Sequence, residues 1–272
     1  MTSERRKTRS FDRLKAVASD IKEQETVKRS LTVARKRQEY MLPQDPEVPG
    51  YEFAMLYSPA EHVSGDFCDI INIDEGKYGI LVGDISGHGM EAGVVMGAAR
   101  KALQIYGRSA SSPDIALSWA NDDLYRDLDR QTFMTVSYGV LDTARGVIQY
   151  VRAGHNHPLL IGPGGQWQEV KANGASIGVT TGEQFSRLLQ VVNVPLQPGQ
   201  SFLQFTDGVV EAHNRREEEY GIERFIKYIF RQQAAGLSLT DLISQLPQEL
   251  ANWSGVSEQE DDITVLAVKR TV

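Results

Sequence analysis

The sequence predicts an α+β fold: a sandwich of two mainly antiparallel sheets with helices on the outside. Three observations lead there. Short runs of β-type residues come in two batches, 51–85 and 133–207. A pair of helical segments separates the batches, and a second pair precedes one last strand-like run, ITVLAVKR. A long segment without Gly or Pro, Ser10 to Met41, stands in front of everything.

In that first segment Leu14, Val17, Ile21 and Gln24 form one stripe and Val27, Leu31, Ala34, Gln38 and Met41 a second, joined by a three-residue step. This is the spacing of a long amphipathic helix with one phase slip. LPQDPEVPG then ends it, because proline removes a donor and clashes with the preceding turn. YEFAMLY, DFCDIINI and KYGILVGDI read as strands, with Glu75 and Gly76 as a tight connection between the last two. MEAGVVMGAARKALQIYG and PDIALSWANDDLYRDL read as helices. FMTVSYGVLD and VIQYVRAG form a hairpin around TARG, followed by strands at LLIG, WQEV, FSRLLQVVNV and QSFLQFTD. Helices at Ile222 to Gln233 and Ser238 to Trp253 lead into the final strand. The predicted division is an N-terminal helical region, 1–45, and a globular domain, 46–272.

With 272 residues, 41% hydrophobic and 24% charged, the chain can build an ordinary core. Its single cysteine, Cys68, excludes an internal disulfide framework. No stretch reaches the roughly 18 apolar residues of a spanning helix, and MTSERRKTRS lacks a signal peptide's apolar region. A cytoplasmic protein with no membrane partner is expected. The net charge of -7 is unevenly spread: residues 1–40 carry 12 Lys and Arg against 6 Asp and Glu, leaving 17 against 30 for the rest. Glu23, Glu25 and Glu39 interrupt the basic residues, which fits a solvated helix face better than a nucleic-acid arm.

Four sites place an Asp at a strand end beside Gly or another acid: SGD (Asp66), VGDISGHG (Asp84), FTDGVVEA (Asp207) and EDDIT (Asp261 and Asp262). Each alone is ordinary turn chemistry. Together they can meet at one rim of a sandwich, where carboxylates repel one another unless cations neutralise them. Oxygen-only donors select Mg²⁺ or Mn²⁺ over zinc, and two such ions would screen a phosphate and activate water for in-line hydrolysis. Gly87 and Gly89 let backbone approach that site closely. The phosphate-loop, dinucleotide, zincin and nucleophile-elbow patterns are all absent.

The ordered set ARKRQEYMLPQ, SGDFCD, VGDISGHGMEA, FMTVSYGVLD, AGHNHPLL, GASIGV, FTDGVVEAHN, YGIERF and DDITVLAV resembles the SpoIIE/RsbU-type branch of the metal-dependent (PPM) serine/threonine protein phosphatases, from about Leu31 to Val268. The resemblance implies a PPM-type β-sandwich flanked by helices, preceded by a linker helix, with two Mn²⁺ or Mg²⁺ ions at one edge. It further implies removal of phosphate from a phosphorylated STAS-domain protein in bacterial partner switching. Residue by residue it assigns Asp66, the bridging Asp84, the Ile85 carbonyl, Asp207 and Asp261 to the metals, with Asp262 the neighbour that could be mistaken for Asp261. His88 falls near the phosphate, as an acid or as a shaper of its loop, and His155 fixes a loop. Ser64 stands where the family usually has Gly, and no Arg is evident as a phosphate clamp. A catalytically silent binding module of the same fold would show degenerate acids, and all four are present. In relatives a sensor domain precedes the linker helix. Residues 1–45 are therefore expected to receive a separate regulatory protein, to pair with a second copy of the chain, or to be the remnant of a longer protein.

Overall fold

The computed structural model describes residues 22, 24–44, 46–87, 89–255 and 259–272. The chain divides into two compact units at Met41 and Leu42. In the first, helix α1 covers 24–39, where Arg35 pairs with Glu39 one turn on (3.1 Å) and Val27 and Val33 are exposed. The earlier part of the expected helix, 10–21, lies outside the described residues.

Among the described residues the second unit holds ten strands: β1 (Tyr51–Ser58), β2 (Phe67–Asp74), β3 (Lys77–Ile85), β4 (Met134–Asp142), β5 (Val147–Ala153), β6 (Leu159–Ile161), β7 (Trp167–Glu169), β8 (Val192–Pro195), β9 (Ser201–Phe205) and β10 (Ile263–Arg270). They form sheet A, ordered β1-β10-β9-β6-β7, and sheet B, ordered β2-β3-β4-β5-β8. Every strand pairing in both sheets is antiparallel. Six helices flank them: α2 (Gly89–Ser109), α3 (Pro113–Asp127), α4 (Gly182–Leu188), α5 (Gly221–Ala234), α6 (Leu239–Ser244) and α7 (Leu246–Ser254). The α+β sandwich expected from the sequence is the observed architecture.

Strand periodicity builds the layers. In β3, Ile80 and Val82 point between the sheets to meet Phe53, Cys68, Tyr150 and Phe202, while Leu81 and Ile85 point outward under α2 and α3. In β10, Leu266 and Val268 face the inner core, and Val265 and Ala267 face α5 to α7. Each central strand is buried on both faces, which is why these runs are almost continuously apolar.

Two elements differ from expectation. FSRLLQVVNV is not one strand. Its first half is α4, which buries Phe185 against the α2–α3 layer, pairs Arg187 with Glu183 (2.5 Å), and offers the Gly182 N–H to Asp122 of α3 (2.9 Å). Only Val192–Pro195 pairs with β5. The Ser238 to Trp253 segment is two helices. Ser238 caps α6 by accepting the Asp241 N–H, and Pro247 lacks the N–H that would continue it into α7.

Candidate active site

The two sheets deliver their acids to the same rim. Phe67 pairs with Gly83, so Asp66, just before β2, lies opposite Asp84 near the end of β3. Across the sandwich Val265 pairs with Phe205, so the end of β9 and the start of β10 bring Asp207 together with Asp261 and Asp262. The chain is antiparallel in both pairs, and each pair therefore contributes one strand end and one strand start to a single edge.

A hydrogen-bond lattice fixes this edge. Thr206 Oγ1 donates to Asp66 Oδ2 (2.8 Å) and accepts the Thr264 N–H (2.9 Å). Ser64 Oγ accepts the Asp66 N–H (3.0 Å) and donates to Asp262 Oδ2 (2.6 Å), while Asp262 Oδ1 takes the Ala60 N–H (2.8 Å). Both oxygens of Asp262 are thus spent on the 60–64 loop. Asp261 instead lines a cavity of about 460 Å³, together with Glu211, His213, Leu250 and Ile263. His213 Nδ1 stands 3.4 Å from Glu260 at its margin.

The glycines of SGD and TDG are steric necessities. A Cβ on Gly65 would stand 2.9 Å from the Ile85 carbonyl oxygen, and one on Gly208 would stand 2.1 Å from the Asp262 carbonyl oxygen. Gly87 and Gly89, with φ of 93° and 75°, carry the chain from β3 into α2 through backbone conformations that side chains disfavour. Between them, His88 lies outside the described residues. Ser86 pins this loop to β4, exchanging its N–H and Oγ with the Phe133 O and N–H (both 2.9 Å).

Electrostatics follow from burial and crowding. Burial and then the Asp84 and Asp262 charges push the Asp66 carboxyl well above the usual range. Burial and then Asp207, Asp261 and Asp262 raise Asp84 to about 7. Glu211 is raised too, first by burial and then by Asp207. The charges acting most strongly on this edge are other carboxylates, which is the condition a bound cation relieves.

His155 is fully buried and spans the sheets. Its Nε2 donates to the Phe205 carbonyl (3.0 Å), so Nδ1 is the acceptor for Thr135 Oγ1 (2.8 Å). A ring that donates at one nitrogen and accepts at the other is neutral. Thr135 is the cross-strand partner of Asp84, and Phe205 lies two residues before Asp207. Burial lowers the His155 pKa to about 4. Sequence reasoning misses Thr206 and Thr264 as site components; it places Ser64 only where the family usually has Gly and His155 only as a residue that fixes a loop, not as a clamp between the sheets.

Residues 74–271 match the family described as Stage II sporulation protein E (SpoIIE). The chain belongs to the SpoIIE family. Among curated relatives, protein IcfG of Synechocystis sp. is 25% identical over 88% of this chain and 41% of its own length. Phosphoserine phosphatase RsbP of Bacillus subtilis is 27% identical over 68% of this chain and 46% of its own length. The chain thus spans less than half the length of these two curated relatives. In fold it is similar to the SiaA-PP2C domain of Pseudomonas aeruginosa, with a TM-score of 0.74, 24% identity, and coverage of 90% of this chain and 98% of that one. The PPM (PP2C-type) sandwich expected from the motifs is the fold of this SpoIIE-family member. Among the described residues no helix is long and apolar enough to cross a membrane.

Proposed function

We propose that this chain is a Mn²⁺- or Mg²⁺-dependent protein serine/threonine phosphatase acting on a phosphorylated STAS-domain protein in a bacterial partner-switching pathway. The observation that carries the reading is the delivery of Asp66 and Asp84 from sheet B and Asp207 and Asp261 from sheet A to one rim, where burial and then the charges of Asp207, Asp261 and Asp262 raise Asp84 to about 7. The name of RsbP, a phosphoserine phosphatase, supports the same chemistry.

The donor set suits a hard divalent ion, since it is made of oxygen alone. Among the described residues no three His, Cys, Asp or Glu side chains already converge as a cage, and backbone carbonyls and water would complete the shell of such an ion. Asp66, Asp84, the Ile85 carbonyl, Asp207 and Asp261 are the proposed ligands for two ions, with Asp84 shared. When bound, such ions neutralise phosphate charge and lower the pKa of water at the site.

The chain's own residues do the rest. Thr206 directs one Asp66 oxygen, His155 ties β9, which leads to Asp207, to Thr135 of β4, the cross-strand partner of Asp84, and Asp262 anchors the 60–64 loop. Water gives up one proton to solvent as its oxygen attacks phosphorus in line, the phosphorus–oxygen bond to the Ser or Thr breaks, and the departing oxygen takes a proton from His88, the proposed donor, which solvent then reprotonates. No covalent phosphoenzyme forms. Residues 1–45 are the proposed surface for a regulatory protein or a second copy of the chain.

The test is phosphate release from a phosphorylated STAS protein with Mn²⁺, with chelator, and with Asp84→Asn. Release is expected only from the unsubstituted protein with metal. Activity that survives both chelation and the substitution overturns the reading.

A further inference from the structure

The far end of sheet B has an outer face that the helices leave open. Register sets Lys77 beside Asp142, Asp142 beside Val147, and Val147 beside Pro195, one row across four strands. The next row runs from Gly79 through Val140 and Gln149 to Asn193. Between these rows and the turn from α2 to α3 lies a groove of about 410 Å³. Lys77 and Asp84 sit toward opposite ends of β3. At the rise of an extended strand their separation is roughly 23 Å, so the groove is separate from the carboxylate edge.

Its chemistry is mixed. Val140 and Val147 give an apolar floor, and Ile73 and Ala110 extend it. Lys77 and Arg145 stand exposed at the rim, and neither makes an ion pair among the described residues. Asp142 is also on the rim, where its Oδ1 accepts the Arg145 N–H (3.0 Å). Counting these three side chains, the rim carries one net positive charge. At the wall Ser112 opens the 15-residue helix α3, but its Oγ turns to Asp114 Oδ1 (2.5 Å) and caps no backbone N–H. The Asp114 carboxylate, in the first turn, therefore offsets the positive end of α3, and the cations available at the groove are Lys77 and Arg145.

A second observation points into the same place. Tyr138 is 1% exposed and lines the groove, yet its hydroxyl has no hydrogen-bond partner. That hydroxyl abuts Gly107 of α2, a wall residue, where an added Cβ would come within 2.9 Å. A buried hydroxyl without a partner costs stability unless something completes it.

We propose that this groove binds a small amphipathic anion: an apolar or aromatic body on Val140 and Val147, with one carboxylate held by Lys77 and Arg145. The single net positive charge of the rim matches a single carboxylate, and the mixed lining matches a ligand with one polar end.

The experiment is calorimetric titration of the full chain with 2-naphthoate in chelator, compared with the neutral 2-naphthalenemethanol. One saturating site is expected, with the alcohol at least about tenfold weaker. Lys77→Gln combined with Arg145→Gln is expected to weaken naphthoate about tenfold, and Gln149→Trp, which fills the floor, to abolish binding. All these positions are exposed, and unchanged thermal melts establish that the variants fold. The proposal is overturned by no saturable binding at millimolar naphthoate, by variants that bind like the parent, or by the alcohol binding as tightly, which would mark an apolar docking surface for a protein segment.

Discussion

Thr206 Oγ1 donates to Asp66 Oδ2 across the gap between the sheets, at 2.8 Å, while accepting the Thr264 N–H at 2.9 Å. One hydroxyl therefore joins the strand that precedes Asp207, the strand that follows Asp262, and the first acid of sheet B. Replacing it with an isosteric side chain isolates what the hydroxyl does. Thr206→Val leaves the buried Thr264 amide without its acceptor and one Asp66 oxygen without this donor, a loss of about 1–3 kcal/mol. The expected result is a lower urea midpoint and a higher Mn²⁺ concentration for half-maximal phosphatase activity. An unchanged Mn²⁺ dependence in the folded variant would show that Asp66 needs no such direction.

Burial, and then crowding by the other acids, predicts that Asp84 weakens the metal-free protein. The Asp84 carboxyl is raised from 3.8 to about 7. A carboxyl with a higher pKa folded than unfolded binds its proton more tightly when folded. Its stabilising effect is whole below 3.8 and is lost as pH rises through 7. In chelator, Asp84→Asn should accordingly be more stable than the parent at pH 7.5 by on the order of 2–4 kcal/mol, with the gap closing toward pH 4. Mn²⁺ should raise the parent's melting temperature and leave the variant's nearly unchanged. Urea titrations at several pH values measure the first effect, and thermal melts the second.

His155 predicts the opposite slope. Its pKa falls from 6.5 to about 4 on folding, so the folded chain binds fewer protons than the unfolded chain between those values. Its contribution is full above 6.5 and disappears as pH falls toward 4. His155→Gln should cost on the order of 3 kcal/mol at pH 7 and much less at pH 4. A cost that does not vary with pH would place the proton elsewhere.

Glycine substitutions separate steric need from general tolerance. Gly208→Ala puts a Cβ 2.1 Å from the Asp262 carbonyl oxygen, and overpacking of this kind costs about 1–3 kcal/mol or more. Activity should fall by at least about tenfold, since the Asp261–Asp262 turn has to move. Gly97 on α2 has nothing within 4 Å of an added Cβ. Gly97→Ala should raise stability by about 0.5–1 kcal/mol through helix propensity. The two melting curves, measured side by side, check the contrast.

The acids were legible because Asp beside Gly at a strand end is a local pattern, and KYGILVGDI, Lys77 to Ile85, gives β3 without error. α4 was not, because Phe185 is buried by α2 and α3, residues far away in sequence, and FSRLL joined to QVVNV has enough apolar character to pass for a strand. The break at Pro247 was visible in principle, since proline within an expected helix marks a boundary. Ser64, Thr206 and His155 acquire their roles only through register. Nothing near His155 in the chain reveals that its ring will reach the Phe205 carbonyl, and nothing near Asp262 reveals that Ala60 and Ser64 will occupy both its oxygens. That same occupation separates Asp262 from Asp261, a distinction two adjacent aspartates in a sequence cannot make.

Because Asp66 and Asp84 ride on one sheet and Asp207 and Asp261 on the other, the proposed metal site would make the carboxylate edge a coincidence detector for folding. Either sheet alone carries only half of it. A cation bound as proposed, needing both halves, would ignore every partly folded chain and pull the equilibrium toward the assembled sandwich, by about 2.7 kcal/mol at a hundredfold excess over its Kd. A slight parting of the layers at this rim would then release the ion while leaving both sheets intact, and the proposed activity would be extinguished far below the free energy of unfolding.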